Sequence, residues 1–387
     1  MRNWIAGGAL VIAAAGGAAA MQDRPRARDI GIAPGAGTPG PLNAITDVAG
    51  VAVGHVTLKE GDSVRTGVTA ILPHQGNLFR EKVPGAVFVG NAFGKLAGST
   101  QVAELGTIET PIVLTNTLSV GAALDGLVRW TIAQPGNENV RSVNGLVGET
   151  NDSGLNDIRG FHITSQHVAA AIQGAASGPV AEGAVGAGTG TSAFGWKGGI
   201  GTSSRRVRQQ QDEWTVGVLV QSNYGGSLVV DGVPVWRELK PTTSGDEAAP
   251  AGRVSPTPSE SEATADGSCM IVVATDAPLD ARDLERLAAR AIYGLARTGS
   301  SYSNGSGDFA IAFSTHPSLR VSGGTGAQQR TILPTDAVSR LFAAVLEATE
   351  EAVYNSMLKA TDTTGNGRTV RAIPIEQLRA VMKKYGR

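Results

Sequence analysis

Residues 262–279 read EATADGSCMIVVATDAPL, where an acidic stretch containing Ser and Thr changes abruptly into an apolar one. The apolar, partly β-branched run 268–275 predicts a buried strand. The stretch before it, residues 241–267, is rich in Pro, Ser, Thr, Ala and acidic residues and predicts a flexible linker. The change falls at Gly267–Ser268, a small polar pair at the entrance of the predicted strand.

The Gly267–Ser268 junction has the features of a self-activated nucleophile. A serine hydroxyl is a poor nucleophile until a base takes its proton. If the peptide bond before Ser268 is cut, the new α-amine lies beside the hydroxyl, and its pKa of roughly 7.7–8.0 suits it to act as that base. A loop that simply enters a buried strand gives the same pattern, so the residues alone leave both interpretations open.

The composition is that of a globular protein, and its charge does not indicate a charged macromolecule or surface as a partner. The chain has 387 residues, enough for one large or two ordinary domains. Its net charge of −1 gives no case for binding nucleic acid or an acidic membrane surface. The 52 glycines predict many tight turns. Cys269 is the single cysteine, which excludes an intramolecular disulfide.

The N-terminus predicts export. Arg2 is followed by an apolar run that is short for a membrane span, and small residues at 17–20 offer a cleavage site. Residues 1–20 are therefore interpreted as a signal peptide, with a periplasmic or secreted location for the mature chain. An uncleaved membrane anchor is the alternative.

Strand and helix patterns are mixed along the mature chain. Predicted strands lie at 50–56, 68–72, 86–89, 111–114, 214–220, 268–275 and 308–314. Helical spacing occurs at 124–132, at 284–295 after an N-cap at Asp280, and at 338–357, with Gly365-Asn366-Gly367 predicted to mark the end of the last helix. This mixture predicts sheets with helices packed on their faces.

Nucleotide, metal and α/β-hydrolase motifs fail on spacing. Residues 90–95 (GNAFGK) are one residue short of a phosphate loop, and residues 186–190 (GAGTG) lack the spacing of a dinucleotide turn. The five histidines form no metal pattern, and no GxSxG elbow occurs. No cofactor and no metal are predicted.

Several segments together resemble one enzyme family. The stretch from Ser268 to Leu279 is similar to the start of the β-subunit in the self-processing L-aminopeptidase/D-esterase and β-aminopeptidase family. The likeness continues in LERLAAR (284–290) and GSGDF (305–309), and upstream in GAGTG (186–190), KGGIGTSSR (197–205) and VGVLVQSN (216–223). The motifs occur in order and span nearly the whole mature chain.

The resemblance implies a fold and a processing site. Members resemble N-terminal-nucleophile hydrolases, with a four-layer α/β/β/α sandwich of the α/β class. The implied cut lies between Gly267 and Ser268, which gives an α-subunit region at 21–267 and a β-subunit region at 268–387. The two regions together form one catalytic domain.

The resemblance also assigns residues to roles. Ser268 is the nucleophile, Ser306 and Asp308 match the second serine and its acid, and Asn223 matches an amide that holds the oxyanion. Glu149 matches an acid near the free amine of the substrate, and Asn151 stands where relatives carry a larger pocket residue.

The implied function is an exported, self-cleaving serine aminopeptidase or amidase acting on small peptides, amides or esters. It is expected to be a homo-oligomer of αβ units, with no nucleic-acid partner. The alternatives are an acyltransferase on the same fold and an unprocessed periplasmic binding protein. Substrate stereochemistry and the choice between α- and β-amino acids stay open.

Overall fold

The fold is described from a computed structural model that covers residues 24–241 and 267–387. The predicted signal peptide and nearly all of the predicted linker lie outside these residues. Within the two described ranges, no helix is long and apolar enough to cross a membrane.

Fifteen strands and six α-helices occur in the described residues. The strands are Ala52–Glu60 (β1), Val64–Leu72 (β2), Val83–Ala92 (β3), Leu96–Ala97 (β4), Thr107–Ile108 (β5), Ile112–Asn116 (β6), Leu146–Thr150 (β7), Ser192–Ala193 (β8), Trp196–Lys197 (β9), Gly199–Gln209 (β10), Asp212–Asn223 (β11), Ser268–Thr275 (β12), Gly307–Ser314 (β13), Thr363–Gly365 (β14) and Arg368–Val370 (β15). The helices are Ser99–Leu105 (α1), Val120–Ile132 (α2), Ser165–Gln173 (α3), Ala281–Arg297 (α4), Ser339–Leu358 (α5) and Ile375–Lys384 (α6).

Two large sheets organise the fold. One has the strand order β1-β2-β6-β7-β4, and the other has the order β10-β11-β12-β13-β3-β5. Each large sheet contains one parallel pair, β6 with β7 and β12 with β13, and its remaining pairings are antiparallel. The central strands of the six-stranded sheet are thus β12, which begins at Ser268, and its parallel neighbour β13.

The side chains of β12 divide between two cores because successive residues of a strand point to opposite faces. Cys269 and Ile271 pack with α4 and α5 on one face of the six-stranded sheet. Met270 and Val272 pack on the other face against Leu114 and other residues of the five-stranded sheet.

A third core covers the far side of the five-stranded sheet. Val113 and Val147 from that sheet pack there with Leu127 of α2 and Val168 of α3. The layers are therefore helices, six-stranded sheet, five-stranded sheet and helices, which confirms the predicted α/β/β/α sandwich.

Local sequence signals predict the elements that follow the junction, but the predicted end of the last long helix is wrong. The Asp280 side chain accepts a hydrogen bond from the Asp283 N–H at 3.0 Å and caps α4, as predicted. The last long helix, α5, ends at Leu358, well before the predicted end signal. Asn366 and Gly367 both have positive φ and form the turn of the β14–β15 hairpin, a conformation typical of two-residue hairpin loops.

Candidate active site

Ser268 is the first residue of β12 and lies between two partner strands. Its Cα is paired with Asn223 at the end of β11 and with Gly307 at the start of β13. By strand alternation it shares the face of Met270, which looks toward the five-stranded sheet. Ser268 is only 4% exposed. The predicted nucleophile therefore lies at the edge of the interface between the two sheets.

Packing and hydrogen bonding fix the peptide bond before Ser268. The Gly307 N–H donates to the Gly267 carbonyl oxygen at 3.1 Å. A Cβ atom at position 267 would lie 2.8 Å from Tyr224 Cα, closer than real Cβ contacts, so only glycine fits without movement. The glycine at 267 is thus required by the close approach of Tyr224, just after β11, and the Gly267 carbonyl is polarised by a backbone donor.

Ser306, just before β13, and Asp308, within it, form a buried pair next to Ser268. Ser306 Oγ donates to Asp308 Oδ2 at 2.8 Å. Burial raises the pKa of Asp308 to about 6, although the Ser306 hydrogen bond favours the ionised form. Asp308 Oδ1 is buried and has no hydrogen-bond partner among the described residues. This carboxyl group is therefore suited to exchange a proton near neutral pH.

Cys269 lies opposite Asp308 on the helix-facing side of the six-stranded sheet. Burial, with a smaller contribution from Asp308, raises the pKa of the Cys269 thiol well above its ordinary value. A buried, protonated thiol is a poor nucleophile. Cys269 is thus a packing residue beside Ser268, facing the opposite way as strand alternation predicts.

The segment that carries Ser306 is held by β3. The Asn91 side-chain amide donates to the carbonyl oxygens of Ser303 at 2.6 Å and Tyr302 at 3.3 Å. The Phe93 N–H donates to the Ser306 carbonyl oxygen at 3.2 Å. Asn91 is a positioning residue that the sequence analysis missed. Its only sequence signal is a polar residue near the end of an apolar strand.

The Asn223 carboxamide has a fixed orientation. Its Oδ1 accepts from the Ser192 N–H at 3.0 Å, and its Nδ2 donates to the Asn151 carbonyl oxygen at 2.9 Å. An amide nitrogen has two N–H groups, so one stays available beside Ser268 within the described part of the chain. This arrangement supplies an N–H donor of the kind that stabilises an oxyanion.

Glu149, near the end of β7, approaches the same edge from the five-stranded sheet. Its carboxylate accepts from the Lys95 N–H at 3.0 Å and from the Thr117 hydroxyl, and Lys95 Nζ lies 3.9 Å away. Burial raises the pKa of Glu149, while the contacts with Thr117 and Lys95 oppose this rise. A Cβ atom on Gly94 would lie 3.2 Å from Gly307 Cα and 3.3 Å from Glu149 Oε1. The Glu149 carboxylate and the start of β13 therefore lie on either side of Gly94.

Asn151 meets the site through its backbone. Its carbonyl oxygen accepts from Asn223, whereas its side-chain Oδ1 accepts from the Ser153 N–H at 2.9 Å in a local turn. The side chain is partly exposed. The structure therefore places the residue beside the oxyanion donor, with its side chain committed to the turn.

Across residues 24–241 and 267–387, no group of three or more His, Cys, Asp or Glu side chains is arranged to hold a metal ion. Among the histidines, His55 is partly buried beside Thr69, and burial lowers its pKa to about 4. It therefore stays neutral at ordinary pH.

The described groups bring together the parts of an acyl-transfer site. They are a serine hydroxyl, a backbone-polarised carbonyl, a serine–acid pair, an amide donor and a buried carboxylate. Five site residues predicted from sequence lie together at one edge of the sandwich: Ser268, Ser306, Asp308, Asn223 and Glu149. Thr117 and Lys95 were missed because their link to Glu149 depends on strand pairing.

Comparisons with known proteins agree with this arrangement. The profile of peptidase family S58 matches residues 43–370. The chain is 44% identical to "Beta-peptidyl aminopeptidase BapA" of Sphingosinicella microcystinivorans over 387 aligned residues, which cover 95% of this chain and 94% of the relative.

Two solved structures have similar folds. The PH0078 protein of Pyrococcus horikoshii OT3 superimposes with a TM-score of 0.84 at 46% identity, covering 94% of this chain and 99% of that one. The L-aminopeptidase D-Ala-esterase/amidase of Ochrobactrum anthropi gives a TM-score of 0.83 at 37% identity with the same coverage, and it is described as a variant of the Ntn hydrolase fold. The chain belongs to peptidase family S58, and it is an aminopeptidase with the N-terminal-nucleophile hydrolase fold.

Proposed function

We propose that this aminopeptidase cuts its own chain between Gly267 and Ser268 and then uses Ser268 as its N-terminal nucleophile. The observation that carries the proposal is the setting of this one peptide bond. Its carbonyl accepts the Gly307 N–H at 3.1 Å, and Ser306 and Asp308 lie on the adjoining strand segment.

Self-cleavage begins with attack of Ser268 Oγ on the Gly267 carbonyl carbon. The C–N bond breaks as the C–O ester forms, and the hydroxyl proton passes to the departing nitrogen, which becomes the Ser268 α-amine. The Ser306 hydroxyl relays this proton to and from Asp308, whose side chain shares the face of Cys269 and reaches the nucleophile only through Ser306. Water then hydrolyses the ester and leaves a Gly267 carboxylate and a free Ser268 hydroxyl.

Substrate hydrolysis repeats the chemistry with a better base. The freed α-amine, with an ordinary pKa of roughly 7.7–8.0, takes the proton of Ser268 Oγ as the hydroxyl attacks the substrate carbonyl. The Asn223 Nδ2–H group donates to the developing oxyanion. The same proton passes to the leaving amine, and water releases the acid from the acyl-enzyme.

Glu149 makes the enzyme an aminopeptidase by binding the ammonium group at the substrate N-terminus. The contacts with Lys95 and Thr117 favour its ionised form, and a charge-assisted hydrogen bond to an ammonium group is strong in a buried site. Peptides, amides and esters with a free amine are therefore the proposed substrates. β-Amino acid peptides come first for testing, because a relative at 44% identity carries the name β-peptidyl aminopeptidase.

Export and assembly complete the proposal. Residues 1–20 act as a signal peptide that directs the chain to the periplasm or the medium. The processed αβ units assemble into a homo-oligomer, which adds stability to an exported chain whose single cysteine allows no internal disulfide.

The test compares pairs of substrates that differ only at the N-terminus. The wild-type protein is expected to release the amine from β- or α-aminoacyl amides with a free amino group, and to leave their N-acetylated forms intact. The Ser268→Ala variant is expected to be inactive on both. Equal cleavage of both members of a pair would contradict the proposed binding of the substrate ammonium group by Glu149. If acyl transfer is the main reaction, mass analysis of the products formed with an added amine identifies it.

A further inference from the structure

Lys197 of β9 is a fully buried lysine, and within residues 24–241 and 267–387 the hydrogen bonds of its ammonium group all go to backbone carbonyls. Its Nζ lies 3.0 Å from the Gly188 carbonyl oxygen and 2.7 Å from those of Thr191 and Gly198. An ammonium group has three N–H donors, so these three acceptors use all of them. Burial lowers the pKa of Lys197 to about 7, which shows how unfavourable this place is for a cation.

One of these acceptors belongs to the peptide that orients Asn223. The Thr191 carbonyl and the Ser192 N–H are the two ends of a single peptide unit. Lys197 binds the carbonyl, and the N–H donates to Asn223 Oδ1 at 3.0 Å. Because a peptide unit is planar and rigid, the two hydrogen bonds fix each other's direction.

The orientation of Asn223 decides whether it can act on an oxyanion. With Oδ1 on the Ser192 N–H, Nδ2 faces the Asn151 carbonyl and keeps one N–H beside Ser268. If the 191–192 peptide turned, Asn223 Oδ1 would lose the Ser192 N–H that donates to it. The carboxamide could then turn its oxygen toward Ser268, where it would repel an oxyanion.

We propose that Lys197 is a positioning residue for the reaction, and that it holds the Asn223 carboxamide with its N–H toward the oxyanion through the Thr191–Ser192 peptide. This inference rests on the proposed role of Asn223. Lys197 itself touches neither substrate nor nucleophile in this account.

The test is a double-mutant cycle on the processed enzyme, with rates normalised to the concentration of Ser268-terminated subunit. Lys197→Met is expected to lower kcat about 10-fold with KM within twofold, since small misplacements of a catalytic group are costly. In the Asn223→Ala background the same change is expected to have no further effect on kcat.

The matched control is Lys82→Met. Lys82 lies just before β3, at the opposite end of that strand from Asn91. Its ammonium group contacts the Glu109 carboxylate at 2.7 Å and donates to the Phe79 carbonyl oxygen. Its replacement is expected to lower the free energy of unfolding without changing kcat. If Lys197→Met does not fold or is not processed, Lys197→Gln, which keeps two N–H donors, takes its place in the same cycle.

Two results would overturn the role of Lys197 alone. One is a full additional loss of kcat in the Asn223→Ala background, and the other is a lower free energy of unfolding with unchanged kcat. A different result, unchanged kcat in Asn223→Ala itself, would refute the proposed oxyanion donor and the inference built on it.

Discussion

The two large sheets each contain one parallel strand pair, and they contribute opposite ends of these pairs to the site. In the six-stranded sheet, β12 and β13 begin there with Ser268 and Gly307. In the five-stranded sheet, β6 and β7 end there, with Glu149 next to the last residue of β7. Gly94 lies between the two sets, close to both Gly307 and Glu149.

The two buried carboxyl groups of these sheets differ in their partners. Asp308 has a neutral partner, the Ser306 hydroxyl, and burial raises its pKa to about 6. Glu149 has a backbone N–H, a hydroxyl and a lysine ammonium nearby, which oppose the effect of burial. The first environment suits proton transfer and the second suits binding of a cation. We therefore expect changes in the six-stranded sheet to affect rates and changes in the five-stranded sheet to affect KM.

The largest effect is expected for Asp308→Asn. Loss of the proton acceptor should slow self-cleavage about 10²- to 10⁴-fold, the usual contribution of general acid–base catalysis. Because Asp308 acts as a base when ionised and its pKa is about 6, wild-type self-cleavage should slow about tenfold per pH unit below that value. Both the effect of Asp308→Asn and the pH dependence of the wild type can be measured by refolding denatured precursor at pH 4.5–8 and following its cleavage by mass spectrometry.

The control for this variant is Asp280→Asn, since Asn caps a helix about as well as Asp. It should be processed at the wild-type rate. A wild-type rate that does not change between pH 5 and 7 would argue against Asp308 as the base.

Asn223→Ala should be next in size. Removal of one oxyanion donor typically costs about 10²–10³ in kcat. KM for a free-amine substrate should stay within a few-fold, because the donor acts on the transition state. Steady-state kinetics of the processed enzyme give both constants. A rise in KM with unchanged kcat would show that Asn223 acts in substrate binding and not in stabilising the transition state.

Glu149→Gln should act on binding. Loss of a charge-assisted hydrogen bond of about 1.5–3 kcal/mol corresponds to a roughly 10- to 150-fold rise in KM for substrates with a free amine. The comparison variant is Glu109→Gln, which alters another buried glutamate that pairs with Lys82. It should leave KM unchanged. A fall in kcat alone for Glu149→Gln would contradict the expectation that changes in the five-stranded sheet affect KM.

Thr117→Val should give the smallest effect. It removes one hydrogen bond to Glu149, so the pKa of Glu149 should rise and its anionic fraction should fall. The expected change is a roughly 2- to 10-fold rise in KM, the equivalent of one ordinary hydrogen bond, and it should be larger at pH 5.5 than at pH 8. A pH-independent change in KM would indicate a steric cause instead.

The structural features that could be predicted from sequence are those with local signals. The apolar run after Gly267 fixes β12, and the Asp280 cap fixes the start of α4. Alternation along β12 also places Cys269 away from Ser268. The stretch Gly365-Asn366-Gly367 was misinterpreted as a helix end, because the positive-φ hairpin turn at Asn366 and Gly367 uses the residue types that also end helices.

The parts that were missed depend on pairing between distant segments. Asn91 contacts Ser303, which is 212 residues away in the chain, and no local pattern predicts that meeting. Thr117 and Glu149 come together because β6 and β7 are parallel neighbours. Lys197 contradicts the usual pattern, since a lysine in a sequence predicts an exposed side chain.

Intact-mass analysis of the wild-type and Ser268→Ala proteins decides whether the chain cuts its own Gly267–Ser268 bond. We expect two fragments for the wild type, one of them beginning at Ser268, and a single uncut chain for the variant. A single uncut chain in both samples, or a cut at the same bond in Ser268→Ala, would contradict this expectation.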